Sequence, residues 1–586
     1  MNIKFTGPFQ ELKKKLEPLK GEWDESQSEK KVFRVENGVL NWFTTTGTLS
    51  VQGKNPGKDQ IEKSVPHLLY PNEYEKAKTV PAEVENKEQN STANENVDIG
   101  IEYNYLFGNI NITELVIGVV CSVGTESKRV IDSLTEQLKG FGYNVEEIRL
   151  SKLLPPEASA NGEYERIKHY MKEGDKLRKR TENNAILAAG ASHKIKESRN
   201  GSPSKNAYIV NSLKHPDEVT FLRKIYTDGF YLFGLHADEK RRHNYLTKKH
   251  LKQFQASELI RIDEDEKIPH GQRTRDTFHL SDFYINIGKD HDQVTNTIQR
   301  FLELIFSNPY KNPTFDEFAM FMAFNSSIRS SDLSRQVGAI IARNQQIIAT
   351  GANDCPKPGG GQYWAEVEPS TGEVKDIPGG KDYTREQDSN KAAQNEMISE
   401  IAKSLVDAQI ATDKSAVEGI LRQSKISDLT EFGRVVHAEM EAILSCAREG
   451  IQTTGATLYC TTFPCHNCAK HIIDAGIIRV VYVEPYPKSR ALEHHSESIY
   501  LKTSLDDHPA NNRVTFEPFT GVGARRFLDL FSMSFGGGSK LKRKDQNGNI
   551  TEWKKEKSSV RTPLLPKSYL EIEEAASAIW KQSVDR

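Results

Sequence analysis

Apolar and polar positions along residues 112–308 switch repeatedly between strand-like and helix-like periods. The apolar run LVIGVVC passes through a glycine-containing turn into a stretch whose apolar residues recur at helical spacing from Val130 to Leu138. Further β-like runs begin at residues 144, 207, 229 and 282, and helical patterns alternate with them. Strands that alternate with amphipathic helices are typical of parallel βαβ units. The pattern predicts a doubly wound α/β domain over residues 112–308.

Residues 315–535 show a second pattern. A helical stretch, FDEFAMFMAFNSSI, leads to a strand pair in QVGAIIARNQQIIATGAN, with Asn344-Gln345-Gln346 as the turn. A segment rich in glycine, proline and charge follows from Asp354 to about Asn390, and then come helix, strand, helix and strand up to RVVYVEPY. We predict a second α/β domain over residues 315–535.

The N-terminal part has shorter elements. Residues 1–62 combine a short amphipathic helix with β-branched and aromatic runs that break at Glu36-Asn37-Gly38, and Asn-Gly between apolar runs is a hairpin signal. We predict a small β-rich or α+β unit there, followed by a polar linker over residues 63–111.

The C-terminal part is polar. A basic run from Lys540 to Lys557 follows a triple glycine, and an amphipathic helix is predicted at about residues 568–582. We assign residues 536–586 to a basic tail with a C-terminal helix.

Composition narrows the class of protein. Hydrophobic residues make up 37% and charged residues 27% of 586 residues, which is typical of a water-soluble protein of several domains. The most apolar stretch, from Leu115 to Val123, is far shorter than the ~20 residues that span a bilayer, and the first 20 residues lack a signal-peptide core. We therefore predict a cytoplasmic protein without membrane contact. The net charge of -2 gives no argument for a nucleic-acid partner.

The strongest chemical signal is a pair of half-motifs in the second α/β domain. His437-Ala438-Glu439 precedes Pro464-Cys465-His466-Asn467-Cys468, and H-x-E with P-C-x-x-C is the pattern of zinc-dependent nucleobase deaminases. One imidazole and two thiolates leave the fourth tetrahedral position of Zn²⁺ to water, as in catalytic sites. We predict one zinc ion per chain at His437, Cys465 and Cys468, with Glu439 as the general acid and base.

Each half-motif alone has another interpretation. An H-x-E on a helix is commonplace, and a C-x-x-C could be a redox pair or half of a structural zinc site. A structural site with four cysteines needs a second C-x-x-C, which the other cysteines do not form: Cys121, Cys355, Cys446 and Cys460. The order of the half-motifs, on helices separated by one strand, favours a catalytic zinc site.

The same region resembles the deoxycytidylate deaminases. The resemblance rests on Ser331-Asp332, Arg335-Gln336-Val337-Gly338 and Gly351-Ala352-Asn353, and on LYCTTFPCHNCAKHIIDAGIIRVVYVEPY. It implies a three-layer α/β/α cytidine-deaminase-like fold, with Asn353 binding the sugar and Tyr486 near the nucleotide. Asn353 could instead be a turn residue, and Tyr486 could simply pack at the end of its strand. The long segment after Asn353 departs from the family pattern at the phosphate pocket.

The turn from Gly118 to Gly124 in the first α/β domain has the position of a phosphate-binding loop. It departs from G-x-x-x-x-G-K-[ST], because its glycines are one residue too far apart and no lysine follows Gly124. Backbone amides at the helix start could still bind a phosphate, which makes Gly118 and Gly124 candidate nucleotide-binding residues. Lys128 could replace the missing lysine or could be a solvated helix residue. The rest of the domain looks like a nucleotide kinase, with basic stretches at Lys240-Arg241-Arg242 and Arg273-Thr274-Arg275, whose arginines could equally form ion pairs with nearby acids.

A P-loop kinase-like domain ahead of such a deaminase resembles the bacterial anti-phage dCTP deaminases. NSLKHPDEVTFLRKIY, GQRTRDTFHLSDF, the deaminase core and the basic tail occur in them in this order. The resemblance covers about residues 112–586. It implies deamination of dCTP and dCMP to deoxyuridine nucleotides, which would deplete dCTP during infection, with the first domain as a nucleotide sensor.

Two rival functions stay open. The same zinc core serves deaminases that edit cytosine or adenine in single-stranded DNA or RNA, and the basic tail KLKRKDQNGNITEWKKEKSSVR favours that class. A non-catalytic nucleotide-sensing or RNA-sensing module is the other rival. As partners we expect free deoxycytidine nucleotides, a regulatory nucleotide, a regulatory RNA or other inhibitor, and further copies of the chain in a homo-oligomer.

Overall fold

The computed structural model describes residues 3–69 and 113–564, with gaps at residues 6, 28, 45–46, 55, 158–161, 200–203, 265–269, 289–290, 430–431, 485–488, 503–511, 535–540 and 547. Most of the predicted linker, the predicted C-terminal helix and Tyr486 lie outside the described residues. The chain forms two compact units, Met1–Asn96 and Val97–Arg586.

The N-terminal unit is an α+β fold. Its antiparallel sheet has the order β1-β5-β4-β3-β2, and two helices pack on it. Val35 pairs with Gly38 across the predicted hairpin, where Glu36 adopts a φ of 47°. The elements are β1 (Ile3–Lys4), α1 (Phe9–Leu16), β2 (Glu22–Asp24), β3 (Lys30–Val35), β4 (Gly38–Phe43), β5 (Thr48–Gly53) and α2 (Gly57–Leu69).

The first sheet of the C-terminal unit is the predicted doubly wound sheet. Five parallel strands have the order β7-β8-β6-β9-β10, with β6 in the middle. Every residue of β6 and β9 is buried, as expected for strands covered on both faces. The strands are β6 (Leu115–Cys121), β7 (Asn144–Arg149), β8 (Asn206–Leu213), β9 (Phe230–His236) and β10 (Phe283–Asn286).

Helices cover both faces of this sheet. Alternate residues of a strand point to opposite faces, so Ile117 joins the cluster that contains Leu134, whereas Val116 joins the cluster that contains Ala191. The helices are α3 (Ser127–Lys139), α4 (Glu163–Thr181), α5 (Ile186–Arg199), α6 (Pro216–Tyr226), α7 (Glu239–Lys248), α8 (Gln253–Glu264), α9 (Thr274–Phe278) and α10 (His291–Ile305).

The second sheet has the order β12-β11-β15-β16-β18-β17. The first two strands form the predicted hairpin, whose turn residues Asn344 and Gln345 have φ values of 52° and 58°. The strands from β15 to β17 pair in parallel. The elements are α11 (Phe315–Ser327), β11 (Gly338–Arg343), β12 (Gln346–Ala352), α14 (Ala438–Arg448), β15 (Thr457–Cys460), α15 (His466–Asp474), β16 (Arg479–Tyr482), α16 (Ala491–His494), β17 (Ile499–Leu501) and β18 (Val514–Pro518).

The segment between β12 and α14 carries structure of its own. A two-stranded ribbon precedes two helices: β13 (Glu366–Val367), β14 (Val374–Lys375), α12 (Ser389–Asp407) and α13 (Lys414–Arg422). Arg434 donates to the Asp382 carboxylate at 2.8 Å, which ties the glycine-rich and proline-rich part to the residues just before His437.

After β18 the chain returns to the first sheet. Strand β19 (Gly521–Val522) pairs antiparallel with β10, and helix α17 (Ala524–Phe531) follows. Further on, the backbone N–H of Arg561 donates to the Ile305 carbonyl oxygen at 2.8 Å. The chain thus crosses between the sheets before residue 535, the end of the domain that the sequence pattern predicts.

Helix α11 lies between the two sheets. Its residues Ala319, Met320 and Ala323 belong to one buried cluster with Val116 of β6 and Ile340 of β11. The two sheets of the C-terminal unit therefore share a hydrophobic core. Within the described residues, no helix combines the length and apolar character that crossing a bilayer requires.

Candidate functional site

Two helix N-termini position the predicted zinc ligands. His437 is the N-cap residue of α14, and Cys465 is the N-cap residue of α15. The close approach of α14 to β12 depends on Gly351, because a Cβ atom there would lie 2.1 Å from the Ala438 carbonyl oxygen. The glycine in the family motif thus allows the helix that carries His437 to lie directly on the strand.

The three ligand atoms form one cluster. His437 Nδ1 lies 3.4 Å from Cys465 Sγ and 3.3 Å from Cys468 Sγ. A tetrahedral zinc ion with Zn–N of about 2.1 Å and Zn–S of about 2.3 Å would place N and S about 3.5 Å apart. The spacing and the donor set therefore fit zinc, and these residues could hold the ion.

The three ligand residues share their protons unequally, since hydrogen bonds with Cys465 raise the pKa of Cys468 and bring that of His437 to about 9. A hydrogen bond with the Cys468 side chain, followed by the hydrogen bond and charge of His437, lowers the pKa of Cys465 to about 3. Cys465 Sγ also accepts the backbone N–H of Cys468 at 3.4 Å, at the positive end of the α15 dipole. The low pKa of Cys465 favours its thiolate, the form that binds zinc, and zinc binding would release the protons that Cys468 and His437 hold.

Glu439 lies in the first turn of α14, beside the cluster. Only 3% of its surface is exposed. Burial raises the pKa of its carboxyl group, and the charge of His437 opposes this shift. A buried carboxyl group with a raised pKa holds a proton more readily than an exposed one, which suits a group that accepts and then returns protons.

Glu439, His437 and Cys465 line a cavity of about 240 Å³, called here the zinc cavity. Asn353 also lines it. The Asn353 side chain accepts the backbone N–H of Val337 at 2.7 Å and donates to the Arg335 carbonyl oxygen at 2.9 Å. Asn353 thus fixes one wall of the cavity.

Several other residues line the zinc cavity without a role predicted from the sequence. Arg335 belongs to the family pattern, and Thr462 and Phe463 are neighbours of the cysteine motif. Asp382, Asp388 and Asn390 come from the segment after Asn353. Their spacing carries no metal or catalytic motif, so nothing in the sequence marked them as part of the cavity.

The remaining cysteines lie apart from the ligand set. Within the described part of the chain, the one group of histidine, cysteine and acidic side chains close enough to share a metal is His437, Cys465 and Cys468. The other cysteines are buried as free thiols: Cys121, Cys355, Cys446 and Cys460. Burial raises the pKa of each, which keeps these thiols protonated.

A second cavity, of about 460 Å³, lies at the turn between β6 and α3 and is called here the loop cavity. Gly124 lines it and has a φ of 82°. A Cβ atom on Gly124 would lie 2.8 Å from the Arg242 carbonyl oxygen. Gly118 lies inside β6, where a Cβ atom would meet the Leu213 and Phe230 side chains, and it does not line the cavity. The structure thus places only one of the two predicted glycines at the loop.

Comparison with known proteins identifies the family. The model of the cytidine and deoxycytidylate deaminase zinc-binding region matches residues 313–484. The chain is 33% identical over 169 residues to the deoxycytidylate deaminase of Enterobacteria phage T4, covering 29% of this chain and 77% of that protein. The chain belongs to the deoxycytidylate deaminase family. The match thus supports the cofactor that the sequence predicted, because the matched region is the zinc-binding one.

The chain is also similar to other proteins over shorter stretches or at lower identity. ComE operon protein 2 of Bacillus subtilis (strain 168) is 53% identical over 53 residues, which cover 9% of this chain and 28% of that protein. The dCMP deaminase from cyanophage S-TIM5, solved in complex with dCMP and dUMP, covers 36% of the chain at 19% identity with a TM-score of 0.20. A gluconokinase from Sinorhizobium meliloti 1021 covers 32% of this chain and 91% of its own at 12% identity, with a TM-score of 0.21.

Proposed function

We propose that this protein is a zinc-dependent hydrolase that deaminates free dCTP and dCMP to the corresponding deoxyuridine nucleotides. The observation that carries the proposal is the cluster of His437, Cys465 and Cys468, because two of its members, His437 and Cys465, line one cavity together with Glu439. That combination provides a metal site, a proton carrier and space for a substrate.

Glu439 performs the proton transfers in this proposal. When bound, zinc supplies the Lewis acidity that brings the pKa of a water molecule toward neutrality. Glu439 takes a proton from the attacking water and delivers it to N3 of cytosine, as oxygen bonds to C4. The carboxyl group then passes the second proton of that water to the amino group, the C4–N bond breaks, and ammonia leaves with uracil as the product.

The walls of the zinc cavity support a nucleotide as substrate. Arg335 lines the cavity, and its guanidinium makes no hydrogen bond or ion pair with the described residues. Its backbone, by contrast, is held on both sides, by Asp332 and by Asn353. A fixed backbone with a free guanidinium suits an arginine that contacts the substrate phosphate.

Part of the basic tail, which favours the rival function of editing nucleic acids, is bound to the rest of the protein. Arg543 donates to the Pro309 carbonyl oxygen at 2.8 Å, and Lys555 lies 4.4 Å from the centre of the Phe141 ring. Arg561 is buried and donates to the Ser532 carbonyl oxygen at 2.7 Å. These three side chains are held by the protein, although Lys542, Lys544, Lys554 and Lys557 of the same run are exposed.

The biological part of the proposal rests on the sequence resemblance. Conversion of dCTP would remove a precursor that phage replication consumes, so the proposed role is anti-phage defence. The doubly wound region would sense a nucleotide in the loop cavity and regulate the deaminase.

One assay tests the proposal. Purified protein is incubated with dCMP, dCTP, CTP, single-stranded DNA and RNA, and uracil formation is measured by chromatography. We expect deoxyuridine products from dCMP and dCTP, formed at least ~100-fold more slowly by the Glu439→Gln variant. Uracil formed only in polynucleotides would favour the editing function, and no product from zinc-loaded protein would favour the non-catalytic sensor.

A further inference from the structure

The loop cavity lies where ligands bind in doubly wound sheets. Residues 122–126 connect the end of β6 to α3, and β6 is the strand at which the strand order reverses. Ligands of such sheets bind at the carboxyl ends of the strands, at this point of reversal. The volume of about 460 Å³ is within the range of small-molecule sites.

Two buried hydroxyl groups in the loop have no partner within the described residues. Ser122 and Thr125 are 3% and 7% exposed, line the loop cavity, and have side-chain oxygens without a hydrogen bond. Buried hydroxyl groups nearly always have a partner. Their position therefore points to a polar ligand. The backbone N–H groups at the start of α3 favour an anionic ligand.

Lys214 places an ammonium group beside this loop. It follows β8, and its Nζ donates to the Cys121 carbonyl oxygen at 2.6 Å and to Asp263 Oδ1 at 2.7 Å. Cys121 is the residue directly before the loop. A lysine from the neighbouring strand thus reaches the place where the loop sequence lacks one.

The Asp263 carboxylate accepts several hydrogen bonds beside the loop. Its Oδ2 accepts the backbone N–H of Val123 at 2.8 Å, and its Oδ1 accepts the Lys214 ammonium and the Thr274 hydroxyl. A loop amide, a lysine and a hydroxyl are the donors that phosphate-binding loops offer to a phosphate. The carboxylate of Asp263, with no exposed surface, therefore has the contacts expected of a bound phosphate.

We propose that Lys214 is the phosphate-binding cation of the loop cavity, and that a nucleoside phosphate competes with Asp263 for Lys214 and the Val123 amide. The inference rests on the regulatory nucleotide of the proposed function and names the residues that bind it. Six basic side chains line the cavity against three acidic ones, which favours an anion. Tyr170 and Met171 supply an apolar part for a base or sugar.

Lys128 provides the matched control. It also lines the loop cavity, but 83% of its side chain is exposed and it pairs with Asp132 at 2.9 Å, one helical turn away. Such an exposed pair contributes little to binding or stability. A change at Lys128 removes the same charge from the same region without touching the Asp263 contacts.

Calorimetry on the full chain tests the proposal, with ATP and inorganic phosphate as probes. We expect Lys214→Gln to weaken ATP binding by at least about tenfold, the scale of a lost charged hydrogen bond. Asp263→Asn should strengthen binding severalfold, because it frees Lys214 while its amide oxygen can still accept from Val123. Lys128→Gln should change the affinity less than about twofold.

Lys214→Gln should weaken ATP binding and Asp263→Asn should strengthen it. These opposite changes in affinity distinguish a binding role of the Lys214–Asp263 pair from a structural one. Weaker or unchanged binding in Asp263→Asn would overturn the proposal even if Lys214→Gln failed to fold, because the pair would then be structural. Absence of ATP and phosphate binding to the wild-type protein would also overturn it. Uracil formation from dCMP is measured separately, so a failure at the loop cavity is distinguishable from failure of the deaminase proposal.

Discussion

Asn353 and Arg335 are joined by a hydrogen bond from the Asn353 side-chain amide to the Arg335 carbonyl oxygen, 2.9 Å long. The same side chain accepts the Val337 N–H, so one residue at the end of β12 holds the segment that carries Arg335. Asn353 still has one amide hydrogen and one lone pair for a substrate hydroxyl. Its interpretation as a sugar-binding residue is compatible with this positioning role.

Arg335→Gln should reduce the preference for nucleotides over nucleosides. Loss of a charged contact to phosphate should lower the ratio of kcat/KM for dCMP to that for deoxycytidine by about tenfold to hundredfold. Steady-state kinetics with both substrates measure this ratio, and Lys403→Gln on the exposed side of α12 is the charge-matched control. Equal losses for dCMP and deoxycytidine would show that Arg335 acts on the cavity shape and not on the phosphate.

Cys465→Ser should remove most of the zinc. The thiolate is lost, and a serine hydroxyl is a poor zinc ligand at neutral pH. Elemental analysis should fall from about one zinc ion per chain to a small fraction of that. Cys446→Ser is the control, because Cys446 lies at the far end of α14 and outside the cluster. Undiminished zinc in Cys465→Ser would contradict the ligand assignment.

Glu439→Gln should lower kcat for dCMP by at least ~100-fold, the scale of a lost general acid and base. The amide keeps the size of the side chain but cannot carry protons. Zinc content should remain at the wild-type level, because Glu439 is not among the three ligand residues. Turnover near the wild-type rate would exclude Glu439 as the proton carrier, whatever the zinc content.

Gly124→Val should change how the deaminase responds to added nucleotides. A side chain there meets the Arg242 carbonyl oxygen, in a backbone conformation with φ of 82°. Coupling of ~1–3 kcal/mol between the two cavities would shift the nucleotide response about fivefold to 150-fold. Activity with dCMP, measured against ATP concentration, checks this, and the zinc content should stay intact.

Gly142→Val is the control for the conformational strain alone. Gly142 has a nearly equal φ of 81°, and no atom lies within 4 Å of the position of its added Cβ. The control variant should keep the nucleotide response of the wild-type protein. An unaltered response in Gly124→Val would count against regulation through the loop, as would phosphate transfer from ATP at ordinary kinase rates by the wild-type protein.

Features that depend on residues close together in the chain were predictable from the sequence. The zinc ligands sit at helix starts separated by one strand, and spacing within a short stretch was enough to find them. Runs of apolar residues predict the strands from β6 to β10, and the polar residues between two such runs predict the Asn344-Gln345 turn. These features depend on neighbours along the chain, which a single sequence displays.

Contacts between distant parts of the chain were not predictable in the same way. Lys214 and Asp263 are 49 residues apart, and neither lies in a recognisable motif. The glycine-rich pattern predicts a phosphate-binding role for Gly118. In the structure, a side chain at this position would collide with the Phe230 ring, which explains the glycine without a ligand. Strand β19 pairs with β10 across more than 200 residues of chain. Because β19 has only two residues, its sequence shows no strand pattern that could predict this pairing.

Helix α11 makes the region that matches the deaminase family difficult to express separately from the rest of the chain. The family match begins at residue 313, so a fragment cut there would look complete by sequence. Its apolar side chains, Ala319 and Met320 among them, would nevertheless lose the Val116 side of their cluster and face water. Strand β19 would lose its partner β10 as well, leaving a bare strand edge. Such a fragment should aggregate, and excision is therefore the wrong route to studying the zinc chemistry alone.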